Sequence, residues 1–189
     1  IRGSLAQRLP VSPESVAAIR ALYEQQAPGE REATVESADR ICGHVFDLLG
    51  SGPVALGTTI DWHRDFKSGY RWNPGQCFLD VAHGHEVGVD IKVPWELSRG
   101  HHLVLLAQTA LLTGAPTYAR ECIAQMTSWI EANPTGCGVN WACPMDVAIR
   151  AVNWLWALAL LAGSPLMTEV WLTEVLASLV AHGRFLMDN

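Results

Sequence analysis

After Pro94 the chain carries four successive helical stretches, each apolar at three- and four-residue steps and each stopped by Gly or Pro. Trp95 to Leu112 closes at Gly114, and Pro116 to Ala132 closes at Asn133-Pro134. A third starts near Pro144 and reaches Leu161 before Gly163-Ser164-Pro165, and a fourth runs from about Thr168 to Met187. Turns this brief favour antiparallel helical hairpins. Leu103, Leu106, Ala107, Ala110 and Leu111 mark one helix, and Ile149, Val152, Leu155, Trp156 and Leu160 another. Stripes this wide predict helices covered on more than one side, and hence a mainly all-α fold. Ala151 to Ala162, broken only by Asn153, falls short of the ~20 apolar residues a bilayer needs, so no membrane span is expected.

Upstream, Ser12-Pro13-Glu14 reads as an N-cap with Pro at the first helical position, opening a helix to about Gln26. Pro28-Gly29 breaks it. Val35, Ala38, Ile41, Cys42, Val45, Phe46 and Leu49 then predict a second helix as far as Gly50. From Gly50 to Val93 the helical period disappears among Gly, Pro, Asp and aromatic residues. A connection that long in a compact domain usually has a role, and short strands or turns pinned by tryptophans are expected. The organisation is therefore N-terminal helices over 1–49, an irregular segment over 50–93 and helical hairpins over 94–189, within one domain.

Thirteen basic against nineteen acidic residues give a net charge of −6. That balance excludes nucleic acid as a natural partner, yet a cleft lined by a few Arg and Lys can still attract an acidic glycan. The five cysteines show no metal-ligand spacing and read as small buried thiols, although Cys137 and Cys143 flank a loop and are compatible with a disulfide. His83-Gly84-His85 with Asp61 or Glu86 is the nearest approach to a metal set, and an isolated pair of this kind reads first as a solvated turn. His101 and His102 diverge by roughly 100° on a helix, and His182 is expected at a surface or helix end. No metal or cofactor is expected. The opening Ile1-Arg2-Gly3-Ser4 has no basic-then-apolar leader, so no targeting signal is visible.

One ordered series carries more information. Ile60-Asp61-Trp62-His63 is followed by Lys92-Val93-Pro94-Trp95-Glu96-Leu97-Ser98-Arg99, Ala107-Gln108-Thr109-Ala110, Leu112-Thr113-Gly114, Tyr118-Ala119, Trp129-Ile130 and Asn133-Pro134. Gly138-Val139-Asn140-Trp141, Met145-Asp146-Val147-Ala148-Ile149-Arg150 and Asn153-Trp154 complete it. From about residue 45 to 189 the chain resembles heparinase II/III-like (alginate-lyase-like) polysaccharide lyases. The resemblance implies an incomplete α/α toroid, truncated at its C-terminus and normally followed by a β-sandwich domain. It also implies an acidic polysaccharide substrate cleaved by β-elimination, and a periplasmic or secreted bacterial setting. The Asn-His pair and Tyr of such lyases would fall beyond Asn189, because Asp188-Asn189 is not followed by His. No catalytic residue is therefore assigned within the chain, and the isolated chain is expected to be inactive. A non-catalytic glycan-binding or polysaccharide-biosynthesis accessory module is the alternative.

Several residues are candidates for substrate contact. Asn140 offers an amide and Trp141 a flat ring for a sugar, or else Asn140 caps the next helix and Trp141 packs inside. Asp146, Arg150, Asn153 and Trp154 share a helical face. Arg150 suits a carboxylate, or else it pairs internally with Asp146. Glu96 and Arg99, one turn apart, suit either a salt bridge or a cleft rim. Asp61, His63 and the neighbouring Asp65 are placed to frame a cleft wall. If these groups line a cleft, Asn140→Ala and Arg150→Ala should impair function without much loss of stability.

Overall fold

The computed structural model describes residues 15–27, 29–82 and 87–189. Ser12-Pro13-Glu14 and the His83-Gly84-His85 pair with Glu86 lie outside the described residues. Helices α1 (Val16–Gln26) and α2 (Glu30–Cys42) meet at Gly29, whose φ of 91° makes the turn. The predicted continuation of α2 to Gly50 does not form. His44 takes a left-handed φ of 51°, and β1 (Val45–Phe46) pairs antiparallel with β2 (Val54–Ala55). Val45 and Phe46 keep the helical step by coincidence, while a β-branched and an aromatic side chain suit a pleated strand.

The irregular segment ends in α3 (Lys92–Ser98), and α4 follows over His101–Thr113. A single helix from Trp95 to Leu112 was expected. Gly100, at φ 73°, divides it, because a left-handed residue cannot continue a right-handed ladder. Downstream, α5 (Pro116–Ala132), α6 (Pro144–Leu161) and α7 (Glu169–Asp188) form close to the predicted bounds. Prolines open α5 and α6, and Thr168 caps α7 by accepting from the Trp171 N–H.

The fold is all-α apart from the small hairpin. α4 is central, packing most extensively on α6, then on α5 and α2, while α7 covers α6. Arg99 and His101 reach Asp146 in the first turn and Asn153 in the middle of α6, whereas Leu111 and Leu160 share a groove at its far end. α4 and α6 therefore run in the same direction. α6 and α7 are long and apolar enough to cross a membrane by length and composition alone. In this fold one side of α6, with Val147, Trp154, Leu158 and Leu161, packs on its neighbours and encloses Arg150 midway, while Val152, Leu155 and Trp156 on the other side are exposed.

One continuous core runs from Ala38 and Phe46 through the interhelical contacts to Phe185. A smaller one, of Trp72, Val81, Ile91 and Val139, fixes the irregular segment against the start of the helical layer. That second core brings loop residues to the end of the bundle where α3 and α6 begin.

Candidate functional site

The candidate residues gather at this end in three shells of increasing exposure. Innermost is Arg150, on α6 and fully buried. Its guanidinium lies 4.0 Å from the ring centre of Trp129 and 5.4 Å from that of Trp141. Nε donates to His182 Nε2 at 2.9 Å and Nη2 to the Asn140 carbonyl at 3.2 Å, while Nη1 has no partner among the described residues. His182 Nδ1 bonds the Ser178 carbonyl at 2.7 Å, so the ring carries its proton there and stays neutral. Burial, then the neighbouring Arg150 charge, push His182 down to about 3. Burial also pushes Arg150 down to about 9, against the attraction of Asp146. Trp154 and Phe185 close the box.

Asn140 sits in a short 3-10 turn, Val139–Trp141, and is buried. Its amide donates at 2.8 Å to both the Trp62 carbonyl and Asn133 Oδ1, tying the irregular segment to the end of α5. The turn approaches the loop closely because Gly138 has no side chain. At φ 75° and ψ 178°, a Cβ there would stand 2.6 Å from His63 Cε1. His63 is itself buried and bonds the Ala132 carbonyl through Nε2 at 2.9 Å. Burial is the main reason its pKa is lowered.

The next group is partly exposed at Glu96, Arg99 and Asn153 and buried at Asp146. Arg99 bridges Glu96 and Asp146, with Nε 2.5 Å from Asp146 Oδ1. Burial opposes the Arg99 charge, but the Asp146 hydrogen bond and the charges of Asp146 and Glu96 outweigh it and push its pKa up. Asn153 donates to the Arg99 carbonyl at 2.9 Å and to His101 Nδ1 at 3.0 Å.

The outermost shell is a hairpin formed by residues 63–72. Asp65 folds its turn. Oδ1 accepts the N–H groups of Lys67 and Ser68, and Oδ2 accepts the Ser68 hydroxyl and the Asp90 N–H. Burial works against this carboxylate, but the Ser68 hydroxyl and the backbone donors hold its pKa below the usual range. Asp61 Oδ2 takes Arg71 Nε at 2.8 Å, and both side chains remain open to water. They line a shallow depression of about 440 Å³ with Thr59 and Pro74. A comparable groove of about 450 Å³ at the far ends of α4 and α6 is lined by Ala110, Leu111, Ala159 and Leu160, and its Arg20 is tied to the Leu111 carbonyl. Among the described residues that line it, Arg20 is the one charged side chain.

With this geometry in place, comparison with known proteins identifies the chain. The family model described as heparinase II/III N-terminus matches residues 21–189. The chain belongs to the heparinase II/III N-terminal family. Its fold matches the crystal structure of heparan sulfate lyase HepC from Pedobacter heparinus at 23% identity and a TM-score of 0.65, covering 92% of this chain and 27% of that one. A mutant of that lyase matches equally, at 23% identity and 0.65, covering 93% and 28%. The chain thus spans little more than a quarter of the length of those proteins. Among curated proteins none matches.

Within this heparinase-like domain the candidate residues divide. Asn140, Trp141, Arg150 and Trp154 are each at most 1% exposed, as is His63, which lies beneath the depression beside Asp61. The fold takes up part of their bonding capacity: Asn140 donates to the Trp62 carbonyl and Asn133, Trp141 to the Asn133 carbonyl, Arg150 to His182 and the Asn140 carbonyl, and His63 bonds the Ala132 carbonyl. Asn140 Oδ1, His63 Nδ1 and Arg150 Nη1 have no hydrogen-bond partner among the described residues. Asp146 bonds Arg99, not Arg150, and Asn140 does not cap α6, which has no side-chain cap. His182 is buried, not superficial. It shares the stripe of Leu172, Val175 and Phe185, a period that could have revealed it. All five cysteines are free thiols, and Cys137 stands opposite Cys77 in an isolated bridge. Among the described residues no group of His, Cys, Asp or Glu forms a metal site. Asp61, Glu96, Arg99 and Asn153 keep access to solvent.

Proposed function

We propose that this domain is the N-terminal arc of an α/α toroid in a polysaccharide lyase that cleaves uronate-containing glycans by β-elimination. The family match over residues 21–189 carries this reading, and the likeness of fold to a heparan sulfate lyase accords with it. Elimination at a uronate requires three services. The carboxylate must be neutralised, a base must take the C5 proton, and an acid must protonate the departing O4.

This chain is suited to the first service only. Two polar groups open to solvent, Arg71 with Asp61 and Arg99 with Glu96 and Asn153, would form the rim that meets an acidic sugar. The Asn-His pair and Tyr for proton transfer would come from chain beyond Asn189, with a β-sandwich domain closing the cleft. The buried box around Arg150 would hold the rim in place without touching substrate.

The test follows ultraviolet absorbance as the polypeptide carrying this domain is mixed with heparan sulfate, alginate, chondroitin and bacterial exopolysaccharides. A steady rise from the unsaturated product is expected on at least one, and none from residues 1–189 alone. Binding with no rise on any of them would favour a non-catalytic glycan-binding module.

A further inference from the structure

The hairpin of residues 63–72 has two unlike faces. Successive side chains on a strand alternate, and His63, Asp65 and Trp72 turn inward and are buried. Arg64 and Arg71 are therefore left together on the outer face, directly opposite each other in an antiparallel bridge. The flanking bonds, Asp65 N–H to the Tyr70 carbonyl at 2.9 Å and Trp72 N–H to the His63 carbonyl at 3.0 Å, define the pairing. They make Arg64 and Arg71 a non-hydrogen-bonded pair, where Cα atoms come within about 4.5 Å and side chains lie closest.

Like charges directly opposite one another destabilise a hairpin. Here one carboxylate, Asp61, bonds Arg71, and among the described residues no acidic group pairs with Arg64. Lys67, at the turn, donates to the Leu49 carbonyl and adds a third cation. Arg64 Nη2 lies over the turn, 3.6 Å from where a Cβ on Gly69 would stand. The buried Asp65 network holds the arrangement against its own repulsion.

We infer that the cross-strand Arg64–Arg71 pair is an anion-binding site that grips a carboxylate or sulfate of an acidic glycan, with the adjoining depression beside Asp61 and Thr59 receiving the sugar ring. Two guanidinium forks on one face suit a planar carboxylate or a tetrahedral sulfate. The glycan assignment rests on the proposed function; the anion site itself rests on the hairpin.

Arg64→Ala, Arg71→Ala, the double variant and the double Lys variant would be titrated with heparan sulfate, an unsulfated polyuronate, neutral dextran and inorganic sulfate. Calorimetry would follow binding, and the arginine Nε–H resonances would report on the site. Arg64→Ala should weaken binding of the acidic glycans about 3- to 10-fold and flatten its salt dependence. Its thermal midpoint should hold or rise as the repulsion is relieved, and the Lys pair should recover part of the affinity. Loss on heparan sulfate alone would identify sulfate as the bound group, and equal loss on both would identify the carboxylate. If the protein binds acidic glycans and Arg64→Ala leaves them unchanged, the inference fails and the proposed function survives. If no glycan binds but sulfate shifts both resonances, the glycan reading fails and the anion site survives. If neither binds, both are overturned.

Discussion

Arg150 and Arg71 are the same residue type in regions built by opposite rules. Arg150 lies in a buried box of Trp129, Trp141, Trp154 and Phe185, where Nε and Nη2 meet a neutral imidazole and a carbonyl instead of a carboxylate. Arg71 stands 53% exposed on a loop, held by one carboxylate through Nε. A sequence search for glycan-binding arginines favours Arg150, because it sits in a distinctive helical motif. The structure favours the other: Arg150 is enclosed, with Nε and Nη2 taken up by the fold, whereas Arg71 keeps its outer donors in water.

The comparison breaks most visibly at Arg150. Arg150→Ala removes the cation stacked on Trp129, leaves the Asn140 carbonyl and His182 Nε2 without that donor, and opens a cavity. A loss of about 3–5 kcal/mol is expected, enough to unfold a marginal domain. Urea or thermal unfolding would measure it. Arg150→Met, similar in volume and with no charge to desolvate, should recover much of the loss. A wild-type midpoint for Arg150→Ala, accompanied by lost glycan affinity, would restore the cleft reading of this residue.

The interior should also fail first in acid. His182 is neutral when folded and pushed down to about 3, whereas its unfolded counterpart takes a proton near 6.5. Between those values the unfolded state binds more protons, so stability is full above pH 6.5 and declines as pH falls towards 3. The whole decline is on the order of a few kcal/mol. His102, pushed down to about 4 chiefly by burial, adds in the same direction. Asp65 in the hairpin behaves differently. Its folded pKa lies below the ordinary 3.8, so its contribution persists through most of that window and fades only at the acid end. Unfolding midpoints between pH 7 and 4 should therefore fall steeply, and His182→Gln should flatten the slope. An unchanged slope would mean that His182 is not the buried neutral group its bonds to Arg150 and Ser178 describe.

The two regions were also unequally legible in the sequence. Helical periodicity and Gly/Pro stops located α5, α6 and α7 because local pattern and tertiary burial agree there. They failed at His44 and Gly100, where one left-handed residue ends or divides a helix and the apolar step runs on regardless. The ordered motifs from Asp61 to Trp154 identified the family, but motif membership does not distinguish a residue that builds a cleft from one that lines it. Asn140 and Arg150 appear polar and available when read singly. Their burial depends on Trp62, Asn133 and His182, which are distant in the chain. Conversely, Asp65, Ser68 and Gly69 are turn-forming residues that the sequence reading passed over, and counting outward from them places Arg64 opposite Arg71.

The smallest stability change gives the sharpest view of the exposed side. Asp61→Asn keeps an amide oxygen for the His63 N–H, which Asp61 Oδ1 now accepts at 3.2 Å, while removing the charge that holds Arg71. Both members of the ion pair face water, so the change in stability should stay within about 1 kcal/mol. The effect on an anionic ligand should be larger in proportion, because the variant frees one cation and deletes one repelling charge. Acidic glycans should bind about two- to five-fold tighter at low salt, with the advantage shrinking as screening increases. Titration of wild type and variant at two ionic strengths decides the matter. Weaker binding would mean instead that the Asp61 carboxylate itself accepts a sugar hydroxyl, placing the substrate in the depression in its own right and not merely beside the arginines.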